Sequence, residues 1–260
     1  MLAFPSLRPK LGAAGAVAGT FCELPCAEAV EIVGLAGFDF VVLDGEHAPI
    51  GAAAYAPLVR AAAAAGLPAV IRVASNDAAS IQHALDSGAA GVQIPQIASA
   101  GEARRAVEAA RFHPQGRRGF NPFVRAADFS AQPVEQFFER GNRDVTVVLQ
   151  VESAAGIASS GEILDVDGFD VLFLGPYDLS QSLGVPGETS HPKVLEAARG
   201  IVEAAGRRGI AVGVFSNTAD ELRHWAKAGV RYLCYSVDTV RLLDAMREAY
   251  SLVSSVVRAK

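Results

Sequence analysis

The chain has 260 residues, 51% hydrophobic and 20% charged, with a formal net charge of −5. That length suits one α/β barrel, and the composition excludes a disordered chain. No dense Lys/Arg cluster marks a nucleic-acid footprint, and no apolar run is long enough to span a membrane.

The opening segment, Met1–Gly19, is small and apolar, but Arg8 and Lys10 come too late for a secretory leader. It reads as an arm feeding the first strand, Ala16–Glu23. A helix follows over Cys26–Ala36 and stops at Gly37. Strand two is Phe38–Asp44 and helix two Gly51–Ala65, ended by Gly66. Strand three is Pro68–Val73 and helix three Ala78–Ser87, ended by Gly88. Strand four is Gly91–Pro95 and helix four Ala100–Arg111.

One long irregular stretch, His113–Asp128, interrupts the alternation; a loop of that length inside a compact domain is usually functional. A helical pattern returns over Pro133–Arg140. Strand five is Val145–Glu152, with a helical stretch to Ile163, and strand six is Phe169–Gly175. Helix six covers Pro192–Arg208, strand seven Ile210–Phe215, helix seven Ala219–Ala228 and strand eight Arg231–Ser236. The last helix runs from Thr239 to near the end.

Eight nearly all-apolar strands alternating with helices predict a parallel sheet buried on both faces. A single (β/α)8 TIM barrel over residues 1–260 fits this pattern better than a doubly wound sheet. The Gly-x-Gly-x-x-Gly turn of dinucleotide-binding folds is missing after strand one, and there is no Walker-type loop. Three cysteines, Cys22, Cys26 and Cys234, are too few and too irregular for a disulfide framework. They read as packing residues of a protein from a reducing, cytoplasmic compartment.

Active sites of such barrels lie at the C-terminal ends of the strands. Strand two ends in Asp44-Gly45-Glu46-His47, strand three in Arg72, and strand five in Gln150-Val151-Glu152. Strand six runs into Gly175-Pro176-Tyr177-Asp178. Glu152 and Asp178 suit a hard divalent cation that keeps open water positions. Mg²⁺ or Mn²⁺ fits, with Co²⁺ as a further option, and zinc fits less well with one histidine nearby. Asp178 has a plain alternative as a helix cap, and Arg72 has one as a structural partner of a carboxylate such as Asp44. A cation plus Arg72 equips a site to stabilise an enolate, and His47 supplies proton transfer near neutral pH. Asp44 and Asp86 are the candidates to hold the His47 tautomer, although the spacing of Asp86 alone suggests a surface residue. Gln150 alternates with Glu152, so both point to one face.

The stretches GFDFVVLDGEHAPI (37–50), IRV (71–73), LDSGAAGVQIPQI (85–97), RFHPQGRRGF (111–120), LQVES (149–153) and GPYDLSQSLGVPG (175–187) together resemble the HpcH/HpaI aldolase family. These are class II, metal-dependent pyruvate aldolases, and the resemblance runs from about residue 15 to 250. It implies that His47 is the general base, with Asp86 raising its basicity and Arg72 stabilising the transition state. Glu152 and Asp178 would hold the metal. Gln150, with the backbone at Tyr177 and Asp178, would cradle the 2-oxo acid, and Asp44 and Glu46 would support His47. Arg125 would match an arginine that meets the distal carboxylate of the acceptor.

The expected reaction is reversible aldol cleavage of 4-hydroxy-2-oxo acids to pyruvate, or a related 2-oxo acid, and an aldehyde. The rivals are a CoA-ester lyase of the citrate lyase β type, an oxaloacetate decarboxylase, and a non-catalytic 2-oxo acid binding protein. No strand-end lysine supports a Schiff base. The resemblance also implies a homohexamer built as a trimer of dimers, with the apolar last helix packing in the oligomer.

Overall fold

The protein is described from a computed structural model covering residues 2, 4–12 and 15–258. Eight parallel strands close into a barrel in chain order. They are β1 (Val17–Cys22), β2 (Phe40–Asp44), β3 (Ala69–Arg72), β4 (Gly91–Ile94), β5 (Thr146–Val151), β6 (Val171–Leu174), β7 (Ala211–Ser216) and β8 (Tyr232–Val237). β8 closes on β1 through Val17 opposite Tyr232 and Gly19 opposite Cys234. The expected single (β/α)8 barrel is therefore the observed architecture.

The helices are α1 (Arg8–Gly12), α2 (Ala27–Leu35), α3 (Ala52–Ala64), α4 (Ala78–Asp86), α5 (Ala100–Ala110), α6 (Val134–Asp144), α7 (Ala154–Ala158), α8 (Ser160–Leu164), α9 (Pro176–Ser182), α10 (Pro192–Arg207), α11 (Ala219–Ala228) and α12 (Asp238–Val257). Several starts are written locally. Asp77 accepts from Ser80 N, Ser99 from Glu102 N and Ser153 from Gly156 N. Thr218 and Glu221 form a reciprocal capping box.

Alternation along each strand produces two apolar layers. Inward residues such as Val17, Phe40, Val42, Val70, Phe173 and Tyr232 fill the barrel. Outward residues such as Val41, Leu43, Ile71, Val92 and Leu149 pack under the helices. The sequence suggested only an arm before β1. Its described part contains α1; Leu7, just before it, and Leu11 within it join the inner cluster and plug the N-terminal mouth.

The expected irregular stretch ends in a 3-10 segment, Arg125–Ser130. α9 was not expected; its extended Gly175 is followed by Pro176, whose fixed φ suits the first helical turn. α12 differs from every other barrel helix: none of its 20 residues is buried. All three cysteines are free, and Trp225 packs between α11 and the barrel at 4% exposure.

Candidate active site

The C-terminal mouth holds a cavity of about 310 Å³. Phe21, Phe173 and Phe215 form its apolar wall, with Val237 and Val240 on the β8 side. His47, Arg72, Gln150, Tyr177 and Asp178 supply the polar wall. Its size and mixed lining match a small-molecule site.

Arg72 is the centre of the polar wall. Its Nε and Nη2 donate to Asp44 Oδ1 and Oδ2 at 2.9 and 2.6 Å, a bidentate fork. Its Nη1 lies 3.3 Å from Glu46 Oε2, and its guanidinium sits 4.8 Å from the centre of the Phe21 ring. β2 and β3 place Asp44 directly opposite Arg72 in register. Burial alone would raise the Asp44 carboxyl, but the Arg72 hydrogen bonds and charge outweigh it and hold the group below its ordinary value. Burial pulls the Arg72 guanidinium down, and the Asp44 hydrogen bonds and charge reverse this and raise it.

The turn after β2 depends on a glycine. A Cβ on Gly45 would lie 2.5 Å from Tyr55 Oη and 2.7 Å from the Arg72 carbonyl oxygen, and Gly45 N donates to that same oxygen at 2.8 Å. Glu46 and His47 then stand at the rim. Asp44 Oδ1 accepts from the backbone N–H groups of both. Asp44 therefore fixes the turn and Arg72; it does not orient the His47 ring. The carboxylate nearest the imidazole is Glu46, with Oε2 3.8 Å from His47 Nε2. Burial raises the Glu46 carboxyl; Arg72 offsets part of this, and the neighbouring Glu152 charge adds to it.

Across the mouth, Gln93 Nε2 donates to Gln150 Oε1, and Gln150 Nε2 donates to Glu152 Oε2. Glu152 Oε1 accepts from Gln96 N at 2.8 Å, with Gln96 turned to φ 59°. Gly175 makes room for this carboxylate, since a Cβ there would come within 2.8 Å of Glu152 Oε2. Burial raises the Glu152 carboxyl; the Gln150 and Gln96 hydrogen bonds oppose it, and the Asp178 charge adds to it. Asp178 lies in the first turn of α9 and lines the pocket. The cap position is Gly175 and no side chain caps the helix, which removes the plain alternative for Asp178.

A raised, buried carboxylate beside a second one is the donor chemistry a divalent cation neutralises, and both groups offer hard oxygens. Among the described residues no three His, Cys, Asp or Glu side chains form a closed cage. The pair fits a cation that keeps several non-protein ligands, as Mg²⁺ does.

Asp44, His47, Arg72, Gln150, Glu152, Tyr177 and Asp178 thus meet at one rim. Two predicted residues do not. Asp86 ends α4, and the chain goes on from it into the N-terminal end of β4, the opposite mouth from His47. Its carboxylate accepts from Arg118 Nη2 at 2.8 Å. Arg125 is buried at that same lower end, donating to the Ser87 carbonyl at 3.2 Å with Phe4 over its guanidinium. The helix direction explains both: residues late in α4, and loops packed beside them, lie a barrel height below the strand ends. Within one protomer, neither the pairing of Asp86 with His47 nor the contact of Arg125 with the acceptor forms.

Gln93 was missed although it shares the inward parity of Arg72 across the β3–β4 register. That period-two signal, one polar residue in an apolar strand, could have found it. Gln96 acts through its backbone, which side-chain chemistry does not announce. Asn217 donates from Nδ2 to Tyr177 Oη at 2.8 Å, a partnership between the residue after β7 and the start of α9 that no spacing rule reveals.

The HpcH/HpaI aldolase/citrate lyase family model matches residues 18–245. A hydroxypyruvate/pyruvate aldolase of Sagittula stellata is 34% identical, covering 87% of this chain and 89% of its own. A 5-keto-4-deoxy-D-glucarate aldolase of Citrobacter koseri is 32% identical, covering 88% and 91%. A solved HpcH/HpaI aldolase/citrate lyase family protein from Burkholderia cenocepacia superposes with a TM-score of 0.90 at 35% identity, covering 95% and 98%.

Proposed function

Because this chain belongs to the HpcH/HpaI aldolase/citrate lyase family, a family of carbon–carbon lyases, we propose that it is a class II aldolase joining a 2-oxo acid to an aldehyde and reversing that reaction. The donor is pyruvate or a close analogue such as hydroxypyruvate, the molecules in the names of the similar aldolases. The observation that carries the reading is the Asp44–Arg72 fork beside Gln150 and Asp178 at one small aromatic-walled cavity, with Glu152 hydrogen-bonded to the Gln150 amide next to it. Among the described residues that cavity has no lysine, so carbonyl activation by a Schiff base has no amine to use.

The side chains divide the work. The Gln150 amide, fixed by Gln93, orients the 2-oxo acid. Arg72, unable to rotate away from Asp44, presents fixed positive charge to the oxygen on which the enolate charge develops. His47 Nε2 takes a C3 proton from the donor, and the Glu46 carboxylate stabilises the imidazolium. Phe21, Phe173 and Phe215 exclude water from the carbanion. Attack of C3 on the aldehyde carbon leaves an alkoxide, which takes the proton back; cleavage runs the same steps in reverse. Glu152 and Asp178 would hold a divalent cation, Mg²⁺ or Mn²⁺ with Co²⁺ as a further option, which would add Lewis-acid charge that favours enolisation.

Proton exchange tests the chemistry without an acceptor. With Mg²⁺ or Mn²⁺ supplied, the protein should exchange the methyl protons of pyruvate for deuterium in D₂O, followed by NMR. Exhaustive chelation should abolish exchange, and His47→Ala should lose most of it while retaining pyruvate binding. Exchange at the full rate in metal-free protein would sink the metal assignment. Exchange at the full rate in His47→Ala would remove His47 as the base. The same enolate forms when oxaloacetate loses CO₂, so oxaloacetate decarboxylation should accompany aldolase activity.

A further inference from the structure

Glu23 follows the last residue of β1 and lines the catalytic cavity. Val17 and Phe21 of β1 belong to the inner layer, and Glu23 keeps their parity one step beyond the strand. It therefore stands at the rim above Phe21, the ring on which the Arg72 guanidinium rests. The chemistry derived above gives this carboxylate no task.

We propose that Glu23 sets the charge of the acceptor. Its carboxylate turns away an aldehyde whose far end is anionic, so the site accepts tails that carry no negative charge. The proposal rests on the aldolase reading above and specifies the charge of its second substrate. Three observations carry it.

The first is that the carboxylate is held. Asp238, at the start of α12, accepts from Glu23 N at 2.9 Å, from Leu24 N at 3.1 Å and from the Cys22 thiol at 3.0 Å. Thr239 beside it donates from Oγ1 to Glu23 Oε2 at 3.2 Å. These bonds tie the end of β1 to the first turn of α12, and Glu23 cannot swing into solvent without giving up the Thr239 hydroxyl. Its other oxygen, Oε1, accepts no hydrogen bond among the described residues.

The second is that no cation pairs with it among the described residues. Arg72 is the only Lys or Arg lining the cavity, and three of its nitrogens are turned to Asp44 and Glu46. His47, the other basic group of the lining, faces Glu46. Asp178, the second carboxylate of the lining, acts on Glu152, where the proposed cation would neutralise both. Glu23 is left as an uncompensated negative charge at the rim. Between apolar walls such as Phe21, Phe215 and Val237 its field is focused rather than screened, so a tail need not touch it to be repelled.

The third is that nothing near the rim receives an anionic tail. Arg125, the residue expected to meet a distal carboxylate, is buried at the opposite end of the barrel against the Ser87 carbonyl. Tyr177 and Asn217 are neutral and bonded to each other. The donor's own carboxylate escapes the repulsion, because the proposed site holds it deep beside Arg72 and the cation. An anionic acceptor would meet a fixed like charge and no counterion, the repulsive half of a specificity device.

The experiment compares two acceptors of equal length and branching, with pyruvate as donor and Mg²⁺ or Mn²⁺ supplied. 4-Oxobutanoate ends in a carboxylate, and 4-methylpentanal ends in a pair of methyl groups. Wild type should favour the neutral aldehyde in kcat/KM by about tenfold or more at low ionic strength. The preference should shrink as added salt screens the charge. Glu23→Gln keeps the shape and removes the charge; it should shift the ratio toward 4-oxobutanoate by about tenfold and flatten its salt dependence. Glu23→Lys should shift the ratio further in the same direction. Each readout is a ratio within one protein, so a packing role for Glu23 would move neither the ratio nor its salt dependence.

An unchanged ratio in Glu23→Gln would overturn the filter. So would a wild-type preference for 4-oxobutanoate, which would mean that a cation from outside the protomer receives the tail. An equal fall with both acceptors would place Glu23 in proton transfer or in the fold instead. If Glu23→Gln does not fold, the salt dependence of the wild-type ratio decides alone. Acetaldehyde, too short to carry a tail, tests the aldolase reading separately. Its turnover with a charge-blind ratio sinks the filter alone, whereas no turnover of any aldehyde sinks that reading and the filter with it.

Discussion

Arg72 is the most heavily engaged side chain of the candidate site, because three of its nitrogens are committed at once to Asp44 and Glu46, and the proposed chemistry depends on it. A lysine offers one point charge and cannot reproduce the fork. Arg72→Lys should therefore lower kcat by about two orders of magnitude with little change in the fold. Steady-state kinetics with circular dichroism checks this, and a loss below about threefold would make Arg72 structural. Most of this arrangement was legible in the sequence, because Asp44, Arg72, Gln150 and Glu152 all close apolar strands where an unpaired polar group would be costly. Gln96 and Asn217 stand at strand ends in the sequence, but their contacts were not legible: one acts through a backbone N–H in a left-handed turn, the other through a partner forty residues away. Asp44 carries two readings in the sequence, partner of Arg72 or support for His47; cross-strand register delivers Arg72, and Asp44 meets His47 only through the backbone N–H.

Among the elements, α12 is the anomaly. Twenty helical residues span about 30 Å, none is buried, and Leu242, Leu243, Met246, Tyr250, Leu252, Val253, Val256 and Val257 are all exposed. The outward faces of the strands it follows are also incompletely covered: Ala18 is exposed, and Leu233 and Tyr235 are half-buried. An apolar helix without a bed and a bed without a helix are complementary, and we propose that a second copy of the chain supplies each to the other. Light scattering at micromolar concentration should report an oligomer, with the hexamer implied by the family resemblance as the expected state, and a chain ending at residue 238 should lose it. A monomer for the intact chain would contradict the proposal. The apolar character of this helix was plain from sequence, whereas α9 was not, since its seven residues are too few for a helical period to declare itself.

At the scale of the whole molecule, the two ends of the barrel divide the predicted machinery. His47 stands at one mouth and Asp86 at the other, where Arg118 holds it. If Asp86 tunes His47, it does so from a neighbouring copy. Mixing His47→Ala with Asp86→Asn protomers and allowing them to exchange should then restore activity above the sum of the two, because some sites regain both native residues. No gain after verified exchange would assign Asp86 to its own protomer's lower face, as a partner of Arg118 only. The alternation of strands and helices made the barrel readable. It placed Asp86 at the end of α4, away from the mouth of its own chain that holds His47, but it could not say whether another copy meets it there, because that depends on packing between copies.

The depth of the catalytic cavity also sets a sequence of events. Gln150 and Glu152 are 2% and 8% exposed, whereas Tyr177, at the mouth, is 46% exposed. For the aldolase reaction proposed above, the 2-oxo acid would therefore arrive before the aldehyde, and in cleavage it would leave last. Product inhibition reads this directly: pyruvate should compete with the aldol substrate for the empty enzyme, and the aldehyde should inhibit noncompetitively. A competitive pattern for both would mean that either product can leave first, and that the deep floor of the cavity has a second exit.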